Sequence, residues 1–263
     1  MDFPTAPPLG GSLRIANLHD VPRLATIATA GFYYSPVFAW ERRYHAEFSG
    51  DSIQSYEKMF ADIITSPQYV AIVATDVFDP DENSKSGATL PPNPGYKPGD
   101  LVIVGVATWK PQPGSARLGQ FTPPDPGPPD VHYDDGQGRD KSSYHAGLLD
   151  DGCDAAEERS AAVFKAQVAL LTLCRYFYGH QLMDMVVVHP AYWRRGHGGC
   201  LVKWGMALAG LDQVDQGVIA ANMGAKLYLA LNYTKLDKVT AEDDSAPSPP
   251  RSVEVSVLRY SSN

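Results

Sequence analysis

Met-Val-Val-Val-His-Pro-Ala-Tyr-Trp-Arg-Arg-Gly-His-Gly-Gly-Cys-Leu, residues 185–201, is the most informative run of this chain. The β-branched residues 186–188 favour a buried extended strand, which Pro190 ends because proline cannot donate a hydrogen bond to a ladder. Three glycines within the four positions 196–199 then allow the backbone to approach a ligand closely. The apolar run that follows predicts a helix over residues 199–211. The order is therefore strand, glycine turn and helix.

A glycine turn that opens a helix is a candidate anion site. The first-turn N–H groups of a helix have no intrahelical acceptor, and the helix dipole is positive at that end. Arg194 and Arg195 add positive charge next to the turn. The turn itself consists of Gly196, His197, Gly198 and Gly199. The alternative interpretation is that the glycines only shape the turn and that the arginines are solvated.

Two other phosphate-binding loops do not fit these residues. An ATPase-type loop needs Lys-Ser or Lys-Thr after its last glycine, and Gly199 is followed by Cys200. The dinucleotide fingerprint spaces its glycines more widely and needs an acidic residue about 20 residues further on. The stretch resembles instead the acetyl-CoA pyrophosphate loop of the GNAT superfamily of N-acetyltransferases. In that pattern a strand ending in Val-x-Pro precedes Gln/Arg-x-x-Gly-x-Gly/Ala, and Trp193 stands here at the Gln/Arg position.

A second motif, residues 222–233, is similar to the closing pattern of the same family. The family has Asn, Ala and Leu-Tyr in that order, followed by Gly-Phe. The corresponding residues here are Asn222, Ala225, Leu227, Tyr228, Asn232 and Tyr233. Asn232 replaces the glycine, and both residue types tolerate a left-handed turn conformation. Asn222 is also expected to cap a helix over residues 223–231.

The remaining patterns supply further strands and helices in the order of this fold. Strands are predicted at 13–15, 69–77, 101–109, 182–188, 218–220, 234–239 and 252–260. Helices are predicted after Asp20, at 53–64 and at 155–178, besides the two already named. The resemblance implies an α/β (α+β) fold with a central mixed, mostly antiparallel twisted sheet of about six to seven strands. Helices would flank this sheet, and the sheet would be splayed at the strand that binds acetyl-CoA.

We expect a single domain over residues 1–263 with two loop insertions. The first, at about 80–100, is rich in Pro, Gly, Ser and Asn, and the second covers about 111–152. A loop as long as the second is either disordered or functional, typically as a lid. A polar linker is predicted at 241–250, before the last strand.

Composition excludes several classes of function. The chain is 44% hydrophobic, which suffices for a substantial core. Its net charge of −8 argues against a nucleic-acid or anionic-membrane partner, because such partners need basic surfaces. Three widely spaced cysteines favour a reducing compartment and give no metal-ligand pattern. The sequence has neither a signal region nor an apolar run of about 18 residues. We therefore expect a cytoplasmic protein or, alternatively, a nuclear one. We also expect no metal, and either a monomer or a homodimer.

The resemblance implies that an acetyl group passes from acetyl-CoA to an amine by direct attack through a tetrahedral intermediate. The main chain of Val186, Val187 and Val188 would pair with the pantetheine arm and polarise the thioester carbonyl. Tyr228 matches the family tyrosine that can protonate the departing sulfur, although a core tyrosine is the alternative. Asn222 matches the asparagine that contacts the cofactor.

The general base is less constrained by the sequence. Asp184 on the central strand could take a proton from a bound ammonium group, directly or through a water. His189 and His45 are alternatives for the same role. His197 stands where the family has an apolar residue, so it either packs or contacts a phosphate.

A small-molecule amine is the expected acceptor. A protein lysine or N-terminal amine is the alternative within the enzyme class. A non-catalytic acyl-CoA-binding protein is a second hypothesis, which the departures at Trp193 and Asn232 support. A third hypothesis is an unrelated α/β protein whose glycine turn binds another phosphate.

Overall fold

The structure is a computed structural model that describes residues 5–42, 45–46, 48–123, 175–243 and 251–262. The strands in these ranges are β1 Leu13–Ile15, β2 Val70–Val77, β3 Leu101–Lys110, β4 Gln181–Val188, β5 Gln216–Ala221, β6 Thr234–Asp243 and β7 Arg251–Tyr260. They form one sheet in the order β1-β2-β3-β4-β5-β7-β6. Every neighbouring pair in it is antiparallel except β4 and β5, which are parallel. The predicted mixed, mostly antiparallel sheet is confirmed.

Helices cover both faces of the sheet. Those in the described ranges are α1 Val21–Phe32, α2 Pro36–Glu41, α3 Ser49–Thr65, α4 His197–Leu211 and α5 Asn222–Ala230. On one face, Leu24 and Phe60 of α1 and α3 pack in a buried cluster with Val106 and Val187 of the sheet. On the other face, Leu201 of α4 packs in a second buried cluster. Because both faces are covered, the central strands are apolar along almost their whole length.

The packing of α4 depends on one glycine. Gly205 lies against Trp109 of β3, and a Cβ atom at position 205 would collide with that indole ring. Trp109 is fully buried and its ring contacts Trp204 at 5.4 Å between centroids. Close approach of the helix to the sheet therefore requires glycine at this position.

The predicted strands all appear, with bounds that differ by a few residues. Helix α4 begins at His197 rather than at residue 199, and β6 extends to Asp243, into the linker predicted at 241–250. The prediction that Asn222 caps α5 is wrong, because Asn222 is the first helical residue and Ala221 precedes it as the N-cap. Most of the helix predicted at 155–178 and most of the 111–152 insertion lie outside the described residues.

The connection between β2 and β3, which contains the predicted 80–100 insertion, packs against the fold. It contains a short 3-10 turn at Asn83–Lys85, and Glu82 is only 5% exposed. Tyr96 packs against a buried cluster that includes Phe78 and Tyr192. This connection therefore contacts the segment that follows β4.

None of the described helices is both long and apolar enough to cross a bilayer.

Candidate active site

A gap opens between β4 and β5. The two strands pair at three positions only: Gln181, Leu182 and Met183 with Gln216, Gly217 and Val218. Residues 185–188 of β4 remain paired with β3 but extend past the last pair with β5. Meanwhile β5 continues alongside β7 up to Ala221. The second half of β4 therefore presents one main-chain edge to the gap.

The register of β3 and β4 decides which main-chain groups face this gap. The N–H of His189 donates to the carbonyl oxygen of Val104 at 2.9 Å. Because hydrogen bonds alternate between the two sides of a strand, Val187 bonds to β3. Val186 and Val188 point their N–H and C=O groups into the gap. Val187, the middle one of the three valines whose main chain is predicted to meet the pantetheine arm, directs its main-chain groups to β3 and packs its side chain below α1.

Trp193 forms a hydrogen bond with one of those main-chain groups. Its indole Nε1 donates to the carbonyl oxygen of Val188 at 2.7 Å. The ring also packs edge-on against Tyr34, with 5.4 Å between centroids and an interplanar angle of 63°. The residue at the family's Gln/Arg position thus ties the end of β4 to the end of α1. The N–H groups of Val186 and Val188 and the C=O of Val186 remain directed at the gap.

The glycine turn leaves a row of main-chain N–H groups without acceptors. Arg194 has φ +65° and Gly196 has φ +92°, and Gly196 is the N-cap of α4 with no side-chain cap. The first helical bond runs from the N–H of Cys200 to the carbonyl of Gly196 at 3.0 Å. No described residue accepts a hydrogen bond from the N–H groups of residues 194–199. The row therefore has the donors and the helix polarity that an anion needs.

The turn also lies next to α5 and the end of β4. A Cβ atom at Gly198 would lie 3.4 Å from Leu227 Cδ2 and 3.8 Å from Val188 Cγ2. Tyr228, the next residue of α5, is 4% exposed and its ring lies 5.1 Å from that of Tyr233. Burial raises the pKa of the Tyr228 phenol well above its ordinary value, so it keeps its proton at neutral pH.

Two further residues of the second motif, Asn222 and Asn232, lie at the start of α5 and just beyond its end. Asn222 is exposed at the N-terminal end of the helix, and no described residue bonds its side chain. Asn232 has φ +65°, so the left-handed conformation predicted for the glycine-equivalent position is confirmed. Two N–H groups, of Leu231 and Tyr233, then donate to the carbonyl of Tyr228 at 2.9 and 3.0 Å.

The side chains of Arg195 and His197 bond to the sheet rather than facing outward. His197 Nε2 lies 2.9 Å from Asp76 Oδ2, and Arg195 Nη1 lies 3.1 Å from the same oxygen. Burial alone would raise the pKa of Asp76, but the bonds from His197, Val77 and Arg195 outweigh it and hold that pKa below its ordinary value. Arg194 is exposed, and its charge has no partner among the described residues. Arg194 is therefore the turn cation that remains available to an anion.

A buried ion pair supports the segment behind the turn. The guanidinium of Arg23 lies 2.5 and 2.8 Å from the two carboxylate oxygens of Glu82. Tyr192 donates its hydroxyl hydrogen to Glu82 at 2.8 Å and accepts from the N–H of Asp79 at 2.9 Å. Burial would raise the pKa of Glu82, and the bonds from Arg23 lower it overall. Sequence reasoning missed Asp76, Asp79 and Glu82, since no local pattern marks an acidic residue whose partner is more than a hundred positions away.

His189 is completely buried. Its Nδ1 accepts from the N–H of Ala191 at 3.3 Å, and no described residue bonds Nε2. Burial lowers the pKa of His189 to about 4, and the ring is therefore neutral at physiological pH. His189, one of the alternatives for the general base, is therefore buried inside the protein.

Asp184 follows Met183, the last residue of β4 that pairs with β5. The register pairs Thr108 with Met185 and Trp109 with Met183, which makes Asp184 the extra residue of a β-bulge. Its carboxylate is exposed and accepts from the hydroxyl of Thr108 at 3.1 Å. Burial would lower the pKa of Lys110, but Tyr69 and the negative charge of Asp184 raise it overall.

A small cavity lies between α1, α2 and the connection that follows β2. Its volume is about 330 Å³ including the mouth. The lining residues are Thr29, Tyr33, Phe38, His45, Ala46, Ser49, Gly87, Ala88 and Thr89. At Gly31 of the adjoining helix turn, a Cβ atom would lie 2.9 Å from the carbonyl oxygen of Val188. From the lining, Tyr33 packs against Tyr34, which in turn packs against Trp193 beyond the end of β4. Within the described residues, no group of three or more His, Cys, Asp or Glu side chains could hold a metal ion.

The chain is similar in sequence to a known acetyltransferase. No family model matches it. A protein named acetyltransferase from Stachybotrys chartarum is 30% identical over 243 residues, covering 92% of this chain and 88% of that protein.

Solved structures align with most of the chain at lower identity. The C-terminal condensation domain of Ebony, solved in complex with beta-alanyl-dopamine, has a TM-score of 0.50 and 8% identity over 94% of this chain and 98% of that one. A histone acetyltransferase HPA2 and related acetyltransferase from Corynebacterium glutamicum has a TM-score of 0.48 and 14% identity over 95% of each chain. The acetyltransferase yncA from Salmonella typhimurium, solved with acetyl-CoA, has a TM-score of 0.44 and 10% identity over 96% of this chain and 94% of that one. By its sequence relative, its sheet order and its glycine turn, the chain belongs to the GNAT-type acetyltransferases.

Proposed function

We propose that this acetyltransferase uses acetyl-CoA and acetylates the amine of a small molecule by direct attack. The observation that carries the proposal is the row of N–H groups at residues 194–199, which have no acceptor among the described residues and lie beside the open edge of β4. When bound, acetyl-CoA supplies a thioester whose carbonyl carbon accepts the amine. The protein must bind its diphosphate, orient the arm and move two protons.

The glycine turn would bind the diphosphate. Each anion contact at a helix N-terminus is worth about 0.3–1 kcal/mol when exposed and up to about 2 kcal/mol when partly buried. Arg194 adds a flexible cation, whereas Arg195 and His197 keep the turn attached to β2 through Asp76. Their main-chain N–H groups would still belong to the row.

The edge of β4 would bind the pantetheine arm as an added strand does. The N–H and C=O of Val186 and the N–H of Val188 face the gap, and amides of the arm can pair with them. The same N–H groups could donate to the thioester oxygen as it gains negative charge. Loss of one such donor costs about 2.7–4 kcal/mol in comparable sites.

Asp184 and Tyr228 would move the protons. The carboxylate of Asp184 is exposed at the start of the gap, where it could take a proton from an ammonium group directly or through a water. The phenol of Tyr228 is neutral and sits on the helix that packs against the glycine turn, so it could protonate the departing thiolate. Asn222 at the start of the same helix would contact the cofactor.

The cavity beside α1 favours a small acceptor over a polypeptide. Its described lining combines aromatic rings with a few polar groups, which is typical of small-molecule sites, whereas a peptide needs an open groove. The rival proposal, an acyl-CoA-binding protein without activity, draws on the bond between Trp193 and Val188, which removes one of the pairing groups of β4.

The test is release of free thiol from acetyl-CoA, followed with a thiol reagent, for a panel of small primary amines and for peptides that carry lysine or a free N-terminus. We expect turnover with at least one small amine and less with every peptide. Faster turnover with a peptide would make a protein the acceptor. Tight binding of acetyl-CoA without thiol release across the panel would favour the non-catalytic protein.

A further inference from the structure

We infer that Asp76, although it is acidic, raises the affinity of the glycine turn for the diphosphate by holding the turn in its anion-binding conformation. The inference rests on the proposed function and names a positioning residue that prepares the diphosphate site before acetyl-CoA binds. The geometry that carries it is a pair of contacts, from Asp76 to Arg195 and to His197, on either side of Gly196.

The main chain of the turn has few hydrogen bonds of its own. The N–H groups of residues 194–199 bond no described residue, and the first helical bond begins at Cys200. Arg194 has φ +65°, which is unfavourable for a residue other than glycine and persists only where neighbouring contacts hold it. The conformation of the turn therefore depends on contacts that its side chains make.

Asp76 supplies such contacts from a fixed position near the end of β2. Its Oδ1 accepts from the N–H of Val77 at 2.8 Å, which orients the carboxylate. Its Oδ2 lies 2.9 Å from His197 Nε2 and 3.1 Å from Arg195 Nη1. A carboxylate can only accept, so the histidine nitrogen carries the hydrogen. One oxygen atom attached to the sheet thus holds the residues before and after Gly196, whose φ is +92°.

The guanidinium of Arg195 is engaged by the fold on several sides. Besides Asp76, it donates to the carbonyl oxygen of Ala191 at 3.2 Å and lies 3.5 Å from Asp79 Oδ2. It also lies over the ring of Tyr192, 4.9 Å from the centroid, and that tyrosine is completely buried. Arg195 therefore connects the turn to the protein, and its contribution to anion binding comes through the position of the main chain.

Charge and position predict opposite effects of Asp76 on binding. By charge alone, a carboxylate close to an anion site repels the anion and neutralises the nearby Arg195, so its removal would tighten binding. By position, its removal lets the turn adopt other conformations, and ordering the turn again on binding lowers the affinity. The direction of the change in affinity therefore distinguishes the two roles.

The first experiment uses the variant Asp76→Asn. Asparagine has nearly the same size, but its single acceptor oxygen cannot serve Val77, Arg195 and His197 together. Binding of acetyl-CoA and of S-acetyl-pantetheine is measured by isothermal titration calorimetry. We expect the dissociation constant of acetyl-CoA to rise about three- to tenfold, the factor for one ordinary hydrogen bond, and that of S-acetyl-pantetheine to stay within about twofold. The control Asp81→Asn removes the same charge from an exposed residue further along the chain and should change neither constant.

A second variant, His197→Phe, tests the same contact from the turn. Phenylalanine keeps an aromatic ring and the main-chain N–H but cannot donate to Asp76, and the charge of β2 is unchanged. We expect weaker binding of acetyl-CoA here too. The double variant should bind acetyl-CoA about as Asp76→Asn does, because both changes break one contact. Melting curves verify that the variants fold.

Equal or tighter binding of acetyl-CoA by Asp76→Asn overturns the inference, as do an equal loss of S-acetyl-pantetheine affinity and independent, multiplying losses in the double variant. The wild type separates this inference from the proposed function. If it binds acetyl-CoA no better than S-acetyl-pantetheine, the turn does not bind the diphosphate and both fail. If it binds acetyl-CoA better and Asp76→Asn changes nothing, only the present inference fails. The expected losses together with no thiol release by the wild type uphold the positioning role and refute the proposed catalysis.

Discussion

Replacing Gly199 with proline should weaken binding of acetyl-CoA. Gly199 is the third residue of α4, and no described residue accepts its N–H. Proline is tolerated in the first turn of a helix because that N–H has no intrahelical acceptor. A Cβ atom at position 199 would meet nothing within 4 Å outside the neighbouring backbone, so the first side-chain atom has space. The variant therefore removes one donor of the proposed diphosphate site.

The expected effect follows from the loss of one hydrogen bond to a charged group. Such a bond contributes about 1.5–3 kcal/mol, and the exposure of the turn favours the lower end of that range. We expect the dissociation constant of acetyl-CoA to rise about 10- to 30-fold, because 1.4 kcal/mol corresponds to a factor of about ten. The matched control Gly199→Ala adds a Cβ atom in open space but keeps the N–H, so its affinity should stay within about twofold of the wild type.

The assay is calorimetric titration of both variants with acetyl-CoA and with S-acetyl-pantetheine, which has no diphosphate. The difference between the proline and alanine variants should be present with acetyl-CoA and absent with S-acetyl-pantetheine. Circular dichroism melts verify that both variants remain folded. Equal acetyl-CoA affinity in two folded variants would refute the assignment of the glycine turn as the diphosphate site.

Three further predictions concern protons. Burial depresses the pKa of His189 to about 4, so the unfolded chain binds a proton first and stability is lost as pH falls from about 6.5 toward 4. Urea denaturation should show a loss of about 2 kcal/mol between pH 7.5 and pH 5; His189→Asn, which keeps an acceptor for Ala191, should lack this loss, and an equal loss would contradict it. Asp184→Asn should lower kcat about 10²- to 10⁴-fold with little change in acetyl-CoA affinity, and an unchanged kcat would exclude Asp184 as the base. Tyr228→Phe should lower kcat more than acetyl-CoA affinity; unchanged turnover in stopped assays with the best amine would remove its role as general acid.

Local chemistry made the elements and the two motifs predictable. Stretches of β-branched residues, glycine positions and helical periodicity act over a few residues, so the strands, the glycine turn and the left-handed Asn232 could be predicted from their own neighbourhoods. The start of α4 and the cap of α5 differ from the predictions, because the end of a helix depends on which group bonds the first N–H.

Contacts between distant segments could be decided only in three dimensions. The sequence marks Val186, Val187 and Val188 alike, whereas the register with β3 turns only the first and third toward the gap. It gives His189 and His45 equal standing, yet folding buries one and places the other in a cavity. Asp76 meets His197 across 121 positions, and Glu82 meets Tyr192 across 110. Sequence determined the local conformations, and the tertiary structure decided which charges and which main-chain groups remain available to a ligand, because burial and pairing depend on partners that the chain brings together only when it folds.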